Sequence, residues 1–298
     1  MQEAVFCLKN MKLAVLADIH ANIVALETVA HHIQQWQPDH IIVAGDTVNR
    51  GPRPLECLQF VLEKEKTEGW QLIKGNHEDY VINFDDFDES SPVLERELYR
   101  SAYWTYQQLH EDVSALKNMA TQVDVYAPNG ERVHIVHASD RSNRDGFFVK
   151  STDDQLRQKM CVDTEEPPAV FCTGHTHWPF TRWIDNTLVV NVGSVGLPFD
   201  GDQRAAYAQI TWQADQWQAE IIRLDYDWHQ TEQDFFETGF LEDGGPLVEL
   251  ILDELRIARP HLFRWTQQYE QDVLAGTITI DETVPVFLAK RHAEIDGH

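Results

Sequence analysis

The sequence predicts an α/β protein of two packed sheets flanked by helices, with a C-terminal helical appendage. Three observations carry this reading. Strand-like and helix-like apolar runs alternate between Lys12 and Lys74, the pattern that builds a mostly parallel sheet with helices on its faces. An Asn-Gly pair at 129–130 joins two further strand-like runs, and more such runs follow. After about Asp225 the strand signal stops and helical spacing takes over.

Residues 1–10 read as an N-terminal tail, and Met11 offers a second possible start directly before the first strand, KLAVLA at 12–17. Asn22 is placed to cap a helix in which Ile23, Leu26, Ala30, Ile33 and Trp36 recur at helical spacing, with Pro38 beyond its end. HIIVA at 40–44 is a second buried strand. Gly51, Pro52 and Pro54 then mark a loop before a helix carrying Leu55, Leu58 and Leu62, and WQLIK at 70–74 is a third strand.

The stretch from Glu78 to Glu89 is acidic and irregular. Ser91 followed by Pro92 has the form of an N-cap with proline at the first helical position. It opens a long helix with Leu94, Leu98, Ala102, Tyr106 and Leu109 on one face, so residues 78–120 are expected to form a cap or helical insert. QVDVYA, the Asn129-Gly130 turn and ERVHIVH predict a hairpin, because Asn-Gly supplies the positive φ angles of tight hairpins. Runs at 169–173 and 187–192, with a strand pair at 205–212 and 217–224, suggest the second sheet. The main domain is thus expected over 11–225. The appendage, 226–298, carries Leu247, Leu250, Ile251, Leu255 and Ile257 and is expected to buttress the core, contact another subunit or cover substrate.

The chain has 298 residues, 43% of them apolar, enough for one domain of roughly 200 to 250 residues plus a smaller part. No apolar run approaches the roughly 20 residues that span a bilayer, and the N-terminus lacks a basic start with a long apolar run, so a cytoplasmic protein without membrane association is expected. Cys7, Cys57, Cys161 and Cys172 contain no Cys-x-x-Cys pair, against a disulfide framework or thiolate zinc site. With 49 acidic and 24 basic residues the formal charge is −25, which disfavours extended nucleic-acid binding. Bound divalent cations would invert that field locally, so a small phosphorylated substrate at a metal site is compatible with it.

Four clusters lie where expected strands end: Asp18-Ile19-His20, Gly45-Asp46, Gly75-Asn76-His77 and Gly174-His175-Thr176-His177. His137 ends a fifth strand. In open α/β sheets, sites form outside the carboxyl ends of strands, so these clusters are expected to converge. Asp18, His20, Asp46, Asn76, His137, His175 and His177 supply seven oxygen or nitrogen donors, a number that suits two ions sharing a carboxylate. Hard donors without thiolate suit manganese or iron, with zinc, cobalt or nickel also compatible.

The motifs DIH (18–20), GDTVNRG (45–51), GNHE (75–78), His137 and GHTH (174–177) resemble the calcineurin-like metallophosphoesterase superfamily. DIHAN, NVGSVG (191–196) and DGDQRAAYA (200–208) are similar to its small prokaryotic phosphodiesterase and phosphatase branch. The resemblance covers about residues 11–225. It implies a four-layer α/β/β/α sandwich of two mixed sheets. It also implies Asp18, His20 and His177 on one metal, Asn76, His137 and His175 on the other, and Asp46 bridging them. His77 matches a catalytic histidine that contacts the phosphoryl group or leaving oxygen, and Arg50 an arginine that grips phosphate. Where protein-phosphatase relatives have an aspartate that orients the histidine, this sequence has Asn49.

Two adjacent cations lower the pKa of a shared water to about 7, so metal-bound hydroxide is the expected nucleophile in hydrolysis of a small phosphodiester, phosphomonoester or nucleotide. His77 would act as general acid or as a hydrogen-bond donor to the transition state. Dinucleoside polyphosphate hydrolysis is a specific version of this activity. Serine/threonine protein phosphatase activity is an alternative that Asn49 disfavours, and a non-catalytic metal-binding scaffold is a third reading. Ser194 and Arg204 are weaker substrate-contact candidates, and Asp79, Asp85, Asp86, Asp88 and Glu89 are candidates for an acidic lip. His31, His32, His110 and His134 lack ligand spacing. No motif encodes the oligomeric state.

Overall fold

The computed structural model describes residues 10–86, 93–160 and 166–296. The tail up to residue 9, the Ser91-Pro92 cap, Asp88, Glu89, Cys7 and Cys161 lie outside the described residues. In chain order the first elements are β1 (Met11–Leu16), α1 (Ile23–Trp36), β2 (His40–Ala44), α2 (Pro54–Glu68), β3 (Gln71–Ile73) and α3 (Asn76–Ile82). Next come α4 (Val93–Leu98), α5 (Arg100–Gln108), α6 (Ser114–Asn118), β4 (Gln122–Tyr126), β5 (Arg132–Val136), α7 (Asp153–Arg157) and β6 (Val170–Thr173). They are followed by β7 (Phe180–Ile184), β8 (Thr187–Asn191), β9 (Ala205–Gln213), β10 (Gln216–Leu224), α8 (Trp228–Glu237), α9 (Phe240–Asp243), α10 (Val248–Ile257), α11 (His261–Leu274) and α12 (Ile280–Asp296).

Two five-stranded mixed sheets form, in the orders β10-β9-β1-β2-β3 and β4-β5-β6-β8-β7. Strands β1, β2 and β3 are parallel, with Leu13 opposite His40 and Val43 opposite Leu72. β1 is covered on both faces, which is why KLAVLA reads as a continuous apolar run. Leu13 and Val15 point between the sheets, where they meet Ile135, Val170, Cys172 and Val190 of the second sheet. Ala14 and Leu16 point the other way, against Leu26, Val29 and Ile33 of α1 and Cys57 and Val61 of α2. Full burial of one such leucine is worth about 1.5–3 kcal/mol. The outer face of the second sheet is covered more thinly, by Phe147 and by Leu156 of α7 against Phe171 and Val189.

Several local expectations are corrected. The 205–224 strand pair joins the first sheet: β9 runs antiparallel to β1, with Val15 opposite Ala208. The parallel core leaves β1 with an unpaired edge of backbone groups, and β9 occupies it. The second sheet gains instead the hairpin β4-β5 and the edge strand β7, which the sequence reading omitted. In that hairpin only Gly130 has positive φ, at 89°, following a bond from Gly130 N–H to the Ala127 carbonyl. The connection is therefore the longer turn with a left-handed glycine rather than the two-residue type. The start of the stretch expected to be irregular, residues 78–82, is helical and belongs to α3 (Asn76–Ile82). The long helix expected through residues 94–109 is interrupted at Tyr99 (φ −102°, ψ 14°). Leu98 packs with the C-terminal helices, whereas Ala102 and Leu109 pack on the first sheet's helical layer, so the two segments serve different cores.

Helices α8–α12 make two further clusters. Phe235, Val248, Ile251 and Leu255 meet Trp104 of α5 together with Leu197 and Phe199, while Leu250, Trp265, Val273 and Phe287 close the second. Asn22 caps α1 through its Oδ1 and the Ala25 N–H at 3.1 Å, and the same oxygen accepts from Thr231 of α8 at 2.9 Å. No helix among the described residues is long and apolar enough to cross a membrane.

Candidate metal centre

The five loops converge at the carboxyl ends of β1, β2, β3, β5 and β6. Backbone bonds tie the first two together: the Asp18 N–H donates to the Gly45 carbonyl at 3.0 Å and the His20 N–H to the Asp46 carbonyl at 2.9 Å. Gly45 has φ +92°, and a Cβ there would lie 2.6 Å from His137 Nδ1. A Cβ on Gly75 would lie 2.1 Å from Asp46 Oδ1. The glycines beside the donors are thus steric requirements. Five of the donors, Asp18, His20, Asp46, His175 and His177, sit at φ between 48° and 65°. The left-handed region costs a non-glycine residue about 1–2 kcal/mol, a strain characteristic of functional loops.

All seven expected donors come together. Asp18, His20 and His177 offer atoms within 4.8 Å of one another, as do Asp46, His137 and His175, and as do His20, Asp46 and His77. Asn76 Oδ1 lies 3.0 Å from His137 Nε2. Asp46 sits between the two sides, with Oδ2 3.2 Å from His137 Nε2 and 3.8 Å from His20 Nε2.

Hydrogen bonds fix the ring tautomers. His20 Nδ1 donates to the Asn49 carbonyl at 3.2 Å, His137 Nδ1 to the Ala44 carbonyl at 2.9 Å, and His177 Nδ1 to the Leu197 carbonyl. A carbonyl only accepts, so these Nδ1 atoms carry protons and, in the neutral rings, the Nε2 lone pairs face inward. His20 Nε2 and His177 Nε2 are then 3.1 Å apart, lone pair to lone pair, with Asp18 Oδ1 3.2 Å from His177 Nε2. Asp18 Oδ1 is buried and makes no hydrogen bond of its own. Such an arrangement is repulsive unless a cation lies among the donors, so the residues fit metal ions.

Burial, with the neighbouring His177 and His77, holds the His20 pKa well below its ordinary value. Burial does the same to His77, against the pull of Asp46. Burial and the adjacent His137 lower His175 to about 3. Burial alone would lower His137 too, but the Asp46 and Asp18 carboxylates push it up to about 10. Burial works against ionisation of Asp46, yet His137 and His77 hold its carboxyl well below the usual range. Burial thus favours the neutral rings of His20, His77 and His175, and only His137 is drawn toward its protonated form by the carboxylates beside it.

His77 is oriented by Asn49. The Asn49 amide nitrogen donates to His77 Nδ1 at 2.9 Å, and Asn49 Oδ1 accepts the Arg50 N–H at 2.8 Å. Arg50 shares a cleft with His77, its Nε is buried without a partner, and among the described residues it makes no salt bridge. Ser194 is fully buried and donates to the Asp18 carbonyl at 2.7 Å, pinning the loop rather than facing a ligand. Arg204 is forked onto Asp202 and lines a separate depression with Asp225 and Trp228. Asp79 pairs with Lys74 at 3.0 Å and Asp85 with Lys117, so neither is a free lip carboxylate.

Glu78 was missed as part of the site. Its fully buried carboxylate accepts the Asp46, Thr47, Val48 and Gly75 N–H groups at 2.7–3.1 Å. Burial, with Asp46 nearby, pushes its pKa up to about 7, while those donors oppose the shift. The available signal was its place three residues after Gly75 at a helix start, where a glutamate can reach back to the cap.

Fold and site together define a metal-binding phosphoester hydrolase. The family model for the calcineurin-like phosphoesterase superfamily domain matches residues 11–215, and the chain belongs to that superfamily. It is 24% identical over 236 residues to an uncharacterized protein of Methanocaldococcus jannaschii, covering 72% of this chain and 88% of that protein. A metallophosphoesterase from Sphaerobacter thermophilus has a similar fold, with a TM-score of 0.64 at 24% identity over 84% of this chain and 100% of that one. A hypothetical protein from Pyrococcus horikoshii OT3 superposes with a TM-score of 0.66 at 19% identity, over 80% of this chain and 97% of that one.

Proposed function

We propose that this chain is a dinuclear-metal phosphohydrolase acting on small phosphoesters. The observation that carries the reading is the inward lone-pair set around Asp46, whose Oδ2 reaches donors of both sides. Asp18, His20 and His177 would hold one ion and Asn76, His137 and His175 the other, with Asp46 shared. Oxygen and imidazole donors without thiolate suit manganese or iron. Two such ions supply a nucleophile from water at neutral pH and offset phosphoryl charge.

The chain's own groups do the rest. With its Nδ1 occupied by the Asn49 amide, neutral His77 presents Nε2–H as a donor to a phosphoryl or leaving oxygen. Arg50, which makes no salt bridge among the described residues and shares the same cleft, supplies the positive charge that grips a phosphate. All seven donors and His77 are present together, which favours turnover over a scaffold role.

The test is hydrolysis of bis(p-nitrophenyl) phosphate and p-nitrophenyl phosphate, side by side, by metal-stripped protein before and after manganese is added. Manganese-dependent release of p-nitrophenolate is expected. Tight metal binding with no turnover of any phosphoester would favour the scaffold instead.

A further inference from the structure

The cleft beside His77 is a cavity of about 270 Å³, just under the roughly 300–1,000 Å³ of typical small-molecule sites. One wall comes from α3 and the α4–α5 junction through Tyr80 and Tyr99, and the other from α11 through Phe263 and Glu270. The second wall lies beyond residue 215, where the family match ends, so it belongs to this chain's C-terminal helices. Tyr80 runs edge-on from His77, with ring centroids 5.2 Å apart, and Tyr99 continues the series 5.6 Å further on. Tyr99 is 38% exposed and Phe263 55% exposed, so rings from three separate segments offer surface to the cleft next to the catalytic histidine.

We infer that this cleft holds the nucleoside of a nucleotide-type phosphoester, with its base against Tyr99 and Phe263 and its phosphate toward Arg50 and the metal centre. The inference rests on the phosphohydrolase reading and adds the substrate class. A phosphoester of a hydrocarbon alcohol would satisfy the rings and offer its phosphate to Arg50 but present no donor to Glu270, and sites built with polar groups discriminate against ligands that lack the matching ones. A nucleotide answers all three features: phosphate for Arg50, a flat ring for the aromatic side chains, and base N–H groups for the Glu270 carboxylate.

The experiment compares adenosine 5′-monophosphate with ribose 5-phosphate on the full, manganese-loaded chain, by kcat/KM and by calorimetric binding. These ligands carry the same phosphate on the same sugar carbon and differ in the base. Preference for the nucleotide by about 5-fold or more is expected, since stacking on an aromatic side chain is of that order or larger. The ratio should fall toward one in Phe263→Ala and in Tyr99→Ala. Equal handling of both ligands overturns the inference even when p-nitrophenyl esters are hydrolysed. Nucleotide-selective binding that Phe263→Ala removes upholds it even when neither ligand turns over, which would separate the subsite from the reaction. An equal loss of preference in Trp183→Ala, at an exposed ring on the edge strand β7, overturns it as nonspecific.

Discussion

Asn49 holds His77 in one tautomer. Its amide nitrogen is 2.9 Å from His77 Nδ1, and its oxygen is already occupied by the Arg50 N–H at 2.8 Å, so the amide cannot turn round without losing that bond. The ring proton therefore sits on Nε2. An aspartate at this position would instead accept from Nδ1–H and favour the imidazolium.

Asn49→Asp should consequently change the pH profile as well as the rate. In the natural chain burial keeps the His77 pKa well below 6.5, so His77 stays neutral and kcat shows no step from it above that pH. A carboxylate beside the ring raises its pKa. The variant should then lose its cationic donor as pH rises through the new value, giving a falling limb. Profiles of kcat from pH 5.5 to 9 at constant metal content check this, and superimposable curves would sink the tautomer argument.

Asp46→Asn and His77→Ala should fail differently. Asp46 Oδ2 reaches both sides of the centre, so the amide should lower metal occupancy and turnover together. His77 lies beside the centre and, in the role proposed for it, would donate to substrate without holding a metal, so its loss should retain the metal while slowing turnover by about 10²–10⁴-fold. Metal analysis beside rates distinguishes them. Two retained ions with full activity in Asp46→Asn would refute the assignment of the bridging carboxylate.

Much of this site was legible because strand ends mark where loops converge, and Asp18, Asp46, Asn76, His137 and His175 each follow or close an apolar run. The parallel order of β1, β2 and β3 followed from the same runs. Edge pairing was not legible: the alternation of β9 is compatible with either sheet, and only the unpaired side of β1 decides it. Nor was the strained backbone at Asp18 or His177, since the left-handed region at these residues is imposed by bonds between loops far apart in sequence. Glu78 was hidden by its acidic neighbours.

Glu78→Gln tests how far the loops depend on one buried group. Oε1 accepts the Thr47 and Val48 N–H groups, and Oε2 those of Asp46 and Gly75. An amide nitrogen in place of either oxygen would face two donors with no acceptor. Each buried group left unsatisfied costs about 1–3 kcal/mol. A drop in Tm of several degrees and weaker manganese affinity are expected, read by thermal melts with and without metal. An unchanged melt would show that water or a loop shift replaces the carboxylate.

His134 provides a pH dependence away from the metal centre. Its Nδ1 is 2.7 Å from Asp124 and its Nε2 2.8 Å from Asp140, so both ring nitrogens donate and the imidazolium is the form that fits. Burial alone would lower its pKa, but the two carboxylates raise it above 6.5. A histidine raised on folding contributes stability that is fully present below its unfolded value near 6.5 and is lost as pH rises through the folded value. The advantage of the natural chain over His134→Asn should therefore be largest near pH 6 and should shrink by about 1–2 kcal/mol toward pH 9. Urea melts of metal-stripped protein at pH 6, 7.5 and 9 measure the difference without interference from metal binding. A gap that stays constant or widens with pH would mean that His134 is neutral in the fold and that one of its two carboxylate contacts is not a charge-assisted bond.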